Sequence, residues 1–124
     1  MPGITREHAR RERELIEVLT EACEIAKAEI TGFCWLTHEV DYQRFPASLQ
    51  VIWVFDTQLD RRRAEAEGQN ARMVELTEMA LRELDISLSP VAGHVHFDSE
   101  EECLHAHGGD WQRRLSRLRS KRGV

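Results

Sequence analysis

The stretch LQVIWVF, residues 49 to 55, has the pattern of a β-strand with two apolar faces. Side chains alternate along a strand, and both alternating sets are largely apolar here. One set is Leu49, Val51, Trp53 and Phe55, and the other is Gln50, Ile52 and Val54. Such a strand must be covered on both sides, so we predict a central strand or an interface strand.

A second strand is predicted just before this one. GFCWLTHEV, residues 32 to 40, is rich in the aromatic and β-branched residues that favour strands. The connecting segment DYQRFPAS contains Pro46, which would break a central strand, so the chain is expected to turn there. We therefore predict that the two strands pair as a hairpin.

Amphipathic helices are predicted on both sides of the hairpin. Residues 5 to 30 place apolar side chains on one helical face, and Gly32 stops that helix. A second helical segment follows Thr57 and is interrupted at Gly68. The apolar stripe of the first helix is Leu15, Val18, Leu19, Ala22, Ile25, Ala26 and Ile30, and that of the second is Met73, Val74, Leu76, Ala80, Leu81 and Leu84.

The C-terminal part of the chain predicts one more strand and two helices. HVHFD, residues 94 to 98, has the pattern of a short strand. Ser99, with an acidic residue three positions later, is typical of a capping box that begins a helix. The pair Gly108 and Gly109 ends this helix, and Asp110 can cap the last one.

These elements predict an α+β fold in the order α-β-β-α(α)-β-α-α. We expect a single domain over residues 1 to 124, in which residues 111 to 124 form a basic C-terminal helix or tail. A right-handed crossover makes the second and third strands parallel, which gives a small three-stranded mixed sheet packed on long helices. Three strands leave edges to cover, and a homodimer is one way to cover them.

Composition predicts a soluble cytoplasmic protein. The 124 residues are 41% hydrophobic and 31% charged, and no apolar run approaches the length of a membrane span. The N-terminal segment lacks the apolar core of a secretory signal. The cysteines, Cys23, Cys34 and Cys103, are odd in number and widely spaced, which argues against a disulfide framework and for a reducing compartment.

The net charge of −5 is unevenly distributed along the chain. Residues 111 to 124 carry six basic groups and no acid, so residues 1 to 110 carry 11 basic against 22 acidic groups, or −11. A basic tail on an acidic body could contact nucleic acid or an acidic protein partner while its Trp111 edge docks on the body. The candidate contacts are Arg61, Arg62, Arg63, Arg113, Arg114 and Arg117. The alternative is a solvated end that frays after about Leu118.

HVHFDSEEECLHAH, residues 94 to 107, concentrates side chains that could bind a metal ion. Along a strand His94, His96 and Asp98 share one face, because side chains alternate. On the following helix Cys103 and His107 share a face at i and i+4. Nitrogen, sulfur and oxygen donors in this arrangement suit a zinc-type ion.

A structural interpretation of the same stretch stays open. Val95 and Phe97 would enter the core, the histidines and Asp98 would meet water, and Cys103 would be a small buried residue. Parallel strands would also bring Asp56 and Asp98 to one edge of the sheet, where two carboxylates can hold a cation or share acid and base roles. Helix capping by neighbouring residues accounts for most of this pattern as well.

No sequence motif indicates a defined reaction. A Walker loop, a G-x-S-x-G element and a dinucleotide fingerprint are all missing from the sequence. We therefore expect a non-catalytic binding or regulatory module without a cofactor. The alternatives are a zinc-type metal protein, which could be a hydrolase, and a protein that binds RNA or DNA through its basic clusters.

Two longer stretches carry a family resemblance. WLTHEVDYQRFPASLQVIWVFDT (35 to 57) and HVHFDSEEECLHAHGGDW (94 to 111) resemble short proteobacterial proteins of unknown function that often carry a label as Fis-family transcriptional regulators. The label implies a transcriptional regulator, but the group has no assigned activity. Fis proper is an all-helical dimer that ends in a helix-turn-helix, and residues 110 to 122 are too few for two helices and a turn.

The order of elements also resembles that of type II KH domains and of ribosome-binding factor A. In that comparison Ala66, Glu67 and Gly68 would occupy the interhelical turn of the factor. The GxxG loop of ordinary KH domains is missing here. The resemblance implies RNA contact by Arg61 to Arg63.

Overall fold

The apolar strand of the sequence lies at the centre of a three-stranded sheet. A computed structural model describes the backbone of residues 6 to 123 and the side chains of residues 6 to 118. The strands are β1 (Phe33–Glu39), β2 (Gln50–Phe55) and β3 (Val95–Ser99), and their order in the sheet is β1-β2-β3. β1 pairs antiparallel with β2 and β3 pairs parallel with it, so the predicted mixed sheet is confirmed.

Helices follow the strands in the predicted order, and the α+β fold class is confirmed. They are α1 (Arg6–Glu29), α2 (Gln58–Ala66), α3 (Gln69–Arg82), α4 (Glu100–His107) and α5 (Trp111–Gly123). Gly68 separates α2 from α3 with a φ of 78°, a left-handed conformation that glycine adopts without a steric penalty. Short 3-10 turns, Tyr42–Arg44 and Val91–His94, precede β2 and β3.

Both faces of β2 are covered, as its sequence predicts. All of its residues are buried. On one face Val51, Trp53 and Phe55 join a core with the apolar stripes of α1 and α3. The indole Nε1 of Trp53 donates a hydrogen bond to Thr77 Oγ1 at 3.1 Å, so the polar atom of this core side chain is satisfied.

Helix α5 covers the other face of the sheet. The strand register places Trp35 of β1, Val54 of β2 and Asp98 of β3 side by side on that face. The ring of Trp111 meets Trp35 edge to face at 4.9 Å between centroids. Arg114 pairs with Asp98, so the start of α5 is docked on the sheet rather than solvated.

Local signals for helix ends agree with the structure, and one side chain of the predicted stripe does not. Thr57 Oγ1 accepts a hydrogen bond from Asp60 N–H, and Ser99 Oγ accepts one from Glu102 N–H, as expected of N-caps. Ile25 of α1, which the periodicity places in the buried stripe, is exposed instead. No helix within residues 6 to 123 is long and apolar enough to cross a membrane.

Candidate functional site

The five predicted metal ligands do not converge in the structure. His94 ends the 3-10 turn before β3, whereas Asp98 lies near the other end of the strand. A strand rises about 3.3 Å per residue, so these two residues are about 13 Å apart along the chain. Among the described residues, no group of three or more histidine, cysteine, aspartate and glutamate side chains is placed to hold a metal ion.

Arg114 of α5 lies between two of the predicted ligands. Its Nε and Nη2 donate to the two carboxylate oxygens of Asp98 at 2.6 and 2.9 Å, a bidentate ion pair. Its Nη1 lies 3.3 Å from His107 Nδ1, which must act as the acceptor because a guanidinium has only donors. Burial and the neighbouring arginines lower the pKa of His107, which favours this neutral, accepting form.

The other predicted ligands also have structural partners. His94 Nδ1 donates to the backbone oxygen of Leu49 at 2.8 Å, and His96 Nε2 contacts the side-chain oxygen of Gln50. Cys103 is fully buried, and burial raises the pKa of its thiol, which disfavours the thiolate that a metal would need. The structural interpretation accounts for these contacts, with one correction: the Asp98 side chain is only 15% exposed, because α5 covers it.

Each of the two basic clusters contains exposed arginines and one that is partly or fully buried. Arg62, Arg63 and Arg113 are exposed to solvent, as is Arg117. Arg114 is only 7% exposed, so the prediction that it offers its charge to an outside partner does not agree with the structure. Arg61, on α2, is partly buried and lies 3.4 Å from Glu102 of α4.

A pocket lies elsewhere in the molecule, lined by none of these residues. It has a volume of about 650 Å³ and is bounded by the first turns of α1, the end of β1 and the connection that follows β1. The side chains in its wall that could bind a ligand are His8 and Glu12 from α1, His38 from β1 and Tyr42 from the 3-10 turn. Pockets of this size with a few convergent polar groups are the usual location of ligand-binding sites.

Glu12 is the centre of a hydrogen-bonded cluster in this pocket. Its Oε1 accepts hydrogen bonds from the phenol of Tyr42 and from His38 Nε2, the latter at 3.0 Å. Within residues 6 to 118, no group donates a hydrogen bond to its second oxygen, Oε2. The side chain of Glu12 is 43% exposed, so solvent or a ligand can reach this carboxylate.

The same contacts fix the charge state of the cluster. Burial raises the pKa of Glu12, but the hydrogen bonds from Tyr42 and His38 and the charge of His38 outweigh it, so the pKa is lowered overall. Burial and the hydrogen bond to Glu12 raise the pKa of Tyr42. At neutral pH, Glu12 is therefore an anion and Tyr42 a neutral donor.

Aromatic stacking holds Tyr42 in position. Its ring stacks on His8 and on Phe45, at 5.4 and 5.7 Å between ring centroids, with ring planes within 24° of parallel. The guanidinium of Arg11 covers Phe45 at 4.7 Å. These contacts fix the phenol that donates to Glu12, so the cluster is preorganised.

The connection between β1 and β2 is fixed by its own hydrogen bonds. The carboxylate of Asp41 accepts from the backbone N–H of Gln43 at 3.0 Å and caps the 3-10 turn that carries Tyr42. Ser48 Oγ, which is buried, donates to Asp41 O and accepts from Asp41 N–H at 2.8 and 2.9 Å. These hydrogen bonds therefore hold the backbone in place where Tyr42 enters the pocket wall.

Sequence reasoning missed this pocket. The available signal was the spacing of His8 and Glu12, which lie at i and i+4 and share a helical face. His38 and Tyr42 also lie at i and i+4, but they belong to a strand end and a turn, where that spacing has no fixed meaning. Nothing in the sequence relates the two pairs, which are brought together by the packing of α1 against β1.

Comparison with known proteins adds no assignment to this geometry. No protein-family model, no curated protein and no solved structure matches the chain.

Proposed function

We propose that this protein is a non-catalytic binding module whose pocket beside Glu12 binds a small organic cation, such as an amine or a guanidine, with an apolar body. The observation that carries the proposal is the Glu12 carboxylate, whose Oε1 is held by two donors while Oε2 has no donor within residues 6 to 118. A fixed anionic oxygen in a partly desolvated pocket is a strong acceptor for a charged N–H donor.

The charges around the pocket support a cationic ligand. The carboxylates of Glu12, Glu39 and Asp41 and the guanidinium of Arg13 line it. Asp41 is paired with Arg44 at 3.4 Å, so Glu12 and Glu39 contribute most of the negative charge. The stacked rings of His8 and Tyr42 add an aromatic surface, and aromatic faces attract cations as well as apolar groups. An anionic ligand would meet this excess of carboxylates and is disfavoured.

The test is a calorimetric titration of the full chain with benzylamine and with benzyl alcohol, which has a similar shape and no charge. We expect saturable binding of benzylamine and at least tenfold weaker binding of benzyl alcohol. Glu12→Gln should weaken benzylamine binding about tenfold or more, because a charge-assisted hydrogen bond contributes about 1.5 to 3 kcal/mol.

A matched variant distinguishes the loss of a contact in the pocket from the loss of one negative charge elsewhere on the protein. Glu24→Gln removes one negative charge from an exposed position of the same helix, outside the pocket, and should leave benzylamine affinity unchanged. Equal affinity for the alcohol and the amine would contradict the proposal, and so would equal losses in Glu12→Gln and Glu24→Gln.

Two further properties belong to the same proposal. A homodimer is supported by the two edge strands that a three-stranded sheet leaves, β1 and β3. A cytoplasmic location is supported by the free thiols of Cys23, Cys34 and Cys103. Sedimentation equilibrium at several protein concentrations tests the first, since a monomer at all concentrations would contradict it.

A further inference from the structure

A second, smaller pocket lies under α5, on the opposite face of the sheet from α1. Its volume is about 270 Å³, and its wall combines residues of β2, β3, α2, α4 and α5. Three of the basic residues singled out in the sequence, Arg61, Arg114 and Arg117, line it together with the carboxylates of Asp98 and Glu102. The two basic clusters, which are far apart in the sequence, therefore meet here.

Arg61 has a guanidinium donor that lacks a hydrogen-bond acceptor within residues 6 to 118. It is 20% exposed, and its Nε is buried without a hydrogen-bond partner among the described residues. Its ion pairs are long, 3.4 Å from Nε to Glu102 and 3.9 Å from Nη1 to Glu65. A buried guanidinium donor without an acceptor is costly, and such groups in native proteins commonly indicate a bound water or ion.

Arg117 supplies available donors at the same pocket. Its Nε donates to the backbone oxygen of Arg114 at 3.3 Å, and the rest of its exposed guanidinium makes no ion pair with a carboxylate within residues 6 to 118. Arg61 of α2 and Arg117 of α5 line the same pocket, so one ligand can contact both.

The charge balance of the pocket is positive. Arg114 and Asp98 neutralise each other through their bidentate pair. Of the remaining charged residues that line the pocket, Arg61 and Arg117 face the carboxylate of Glu102, whereas Glu65, 3.9 Å from Arg61 Nη1, lies outside the lining. Guanidinium groups match the geometry of tetrahedral oxyanions, to which they donate two parallel hydrogen bonds.

We propose that this pocket binds one phosphate group, either free inorganic phosphate or the terminal phosphate of a small molecule, held by Arg61 and Arg117. Arg114 acts as a positioning residue, because its Nε, Nη1 and Nη2 already donate to Asp98, Glu102 and His107 and its backbone oxygen holds Arg117. The small volume suits a single phosphate with a few waters rather than a nucleotide base. This pocket shares no lining residue with the cation pocket, which lies between the first turns of α1 and the end of β1.

The experiment is a calorimetric titration of the full chain with inorganic phosphate, at constant ionic strength maintained with sodium chloride. We expect saturable binding that is at least tenfold weaker in Arg61→Gln and in Arg117→Gln. The controls are Arg62→Gln and Arg113→Gln, which remove the same charge from exposed positions of the same two helices and do not line the pocket. They should keep the wild-type affinity.

Two outcomes of this titration would overturn the proposal: no saturable heat with phosphate, or equal affinity losses in pocket and control variants. If Arg61→Gln does not fold, Arg117→Gln decides, because its side chain is exposed and its removal should leave the fold intact.

A second titration distinguishes the sources of the phosphate. Methyl phosphate that binds more tightly than inorganic phosphate, in an Arg117-dependent way, would identify the terminal phosphate of a small molecule, and the reverse order would identify the free ion. An oligoribonucleotide without terminal phosphates that binds through Arg61 and Arg117, while neither small phosphate does, would overturn the proposal in favour of a nucleic-acid contact.

Discussion

Asp98 and Glu12 are both carboxylates held by neighbouring donors, but only one of them keeps bonding capacity. Both oxygens of Asp98 accept from Arg114, and Oδ1 also accepts from the backbone N–H of Ser99. Glu12 concentrates its two hydrogen bonds on Oε1. A dense cluster of reactive side-chain types is therefore a candidate site only where an atom still lacks a hydrogen-bond partner within the folded protein.

The largest effect is expected from removal of Arg114, the partner of Asp98. We expect Arg114→Met to lower the free energy of unfolding by about 3 kcal/mol, because the largely buried charge of Asp98 would lose its partner. Urea unfolding followed by circular dichroism measures the loss. Arg113→Met, at the exposed neighbouring position, should change stability by less than about 0.5 kcal/mol.

The double variant Arg114→Met with Asp98→Asn refines this test. Removing the second charge should recover part of the stability, because the cost lies in an unpaired buried charge rather than in the loss of a favourable bond. A loss below about 1 kcal/mol in Arg114→Met alone would show that the pair behaves like an exposed salt bridge.

Removing the hydroxyl group of Tyr42 tests the hydrogen-bonded cluster around Glu12. Tyr42→Phe keeps the stacking on His8 and Phe45 and removes one donor to Glu12, so we expect a loss of about 1 kcal/mol in unfolding free energy. Tyr42→Leu, which also removes the stacking, should cost more. An unchanged stability in Tyr42→Phe would show that the hydrogen bond to Glu12 is not formed in solution.

A smaller effect is expected in acid. Because the folded state lowers the pKa of Glu12, its contribution to stability is present above the ordinary glutamate pKa of 4.5 and is lost as pH falls through the lowered value. Unfolding free energies measured from pH 6 to pH 3 should therefore fall less steeply in Glu12→Gln than in the wild type. Glu24→Gln should follow the wild-type curve, and identical curves for all three proteins would contradict the assignment.

The smallest expected effect concerns zinc. Because Arg114 already engages Asp98 and His107, we expect added zinc to shift the melting temperature of the wild type and of His107→Gln equally. Elemental analysis after dialysis provides the second measurement. One zinc ion per chain, lost in both His94→Gln and His107→Gln, would restore the metal site that the sequence suggested.

The fold could be predicted because its decisive signals are local. The two apolar faces of residues 49 to 55 require a covered central strand whatever covers it. Gly68 and the caps at Thr57 and Ser99 mark helix ends through interactions that span only a few residues. Ile25 shows the limit of such reasoning, because helical periodicity gives the apolar face but not the exact rotation of the helix against the sheet.

The candidate sites could not be predicted to the same extent. Spacing suggested that His94, His96 and Asp98 could cooperate, but spacing does not reveal that an arginine 16 positions after Asp98 occupies the space beside it. Glu12 lies 26 and 30 positions from His38 and Tyr42, so their convergence depends on the angle at which α1 crosses β1. That angle is set by packing of the whole core, which no short stretch of sequence encodes.

The mixed sheet also has a consequence for the order in which the molecule assembles. β2 joins β1 across the short segment between Glu39 and Gln50, whereas it joins β3 only across the segment from Phe55 to Val95, about four times as long, which adds about 1.2 kcal/mol of loop-closure entropy. The hairpin is thus expected to form first. The chain would carry His38 and Tyr42 on an early folding unit, while the Asp98 pair would close last and complete the cooperative folding transition.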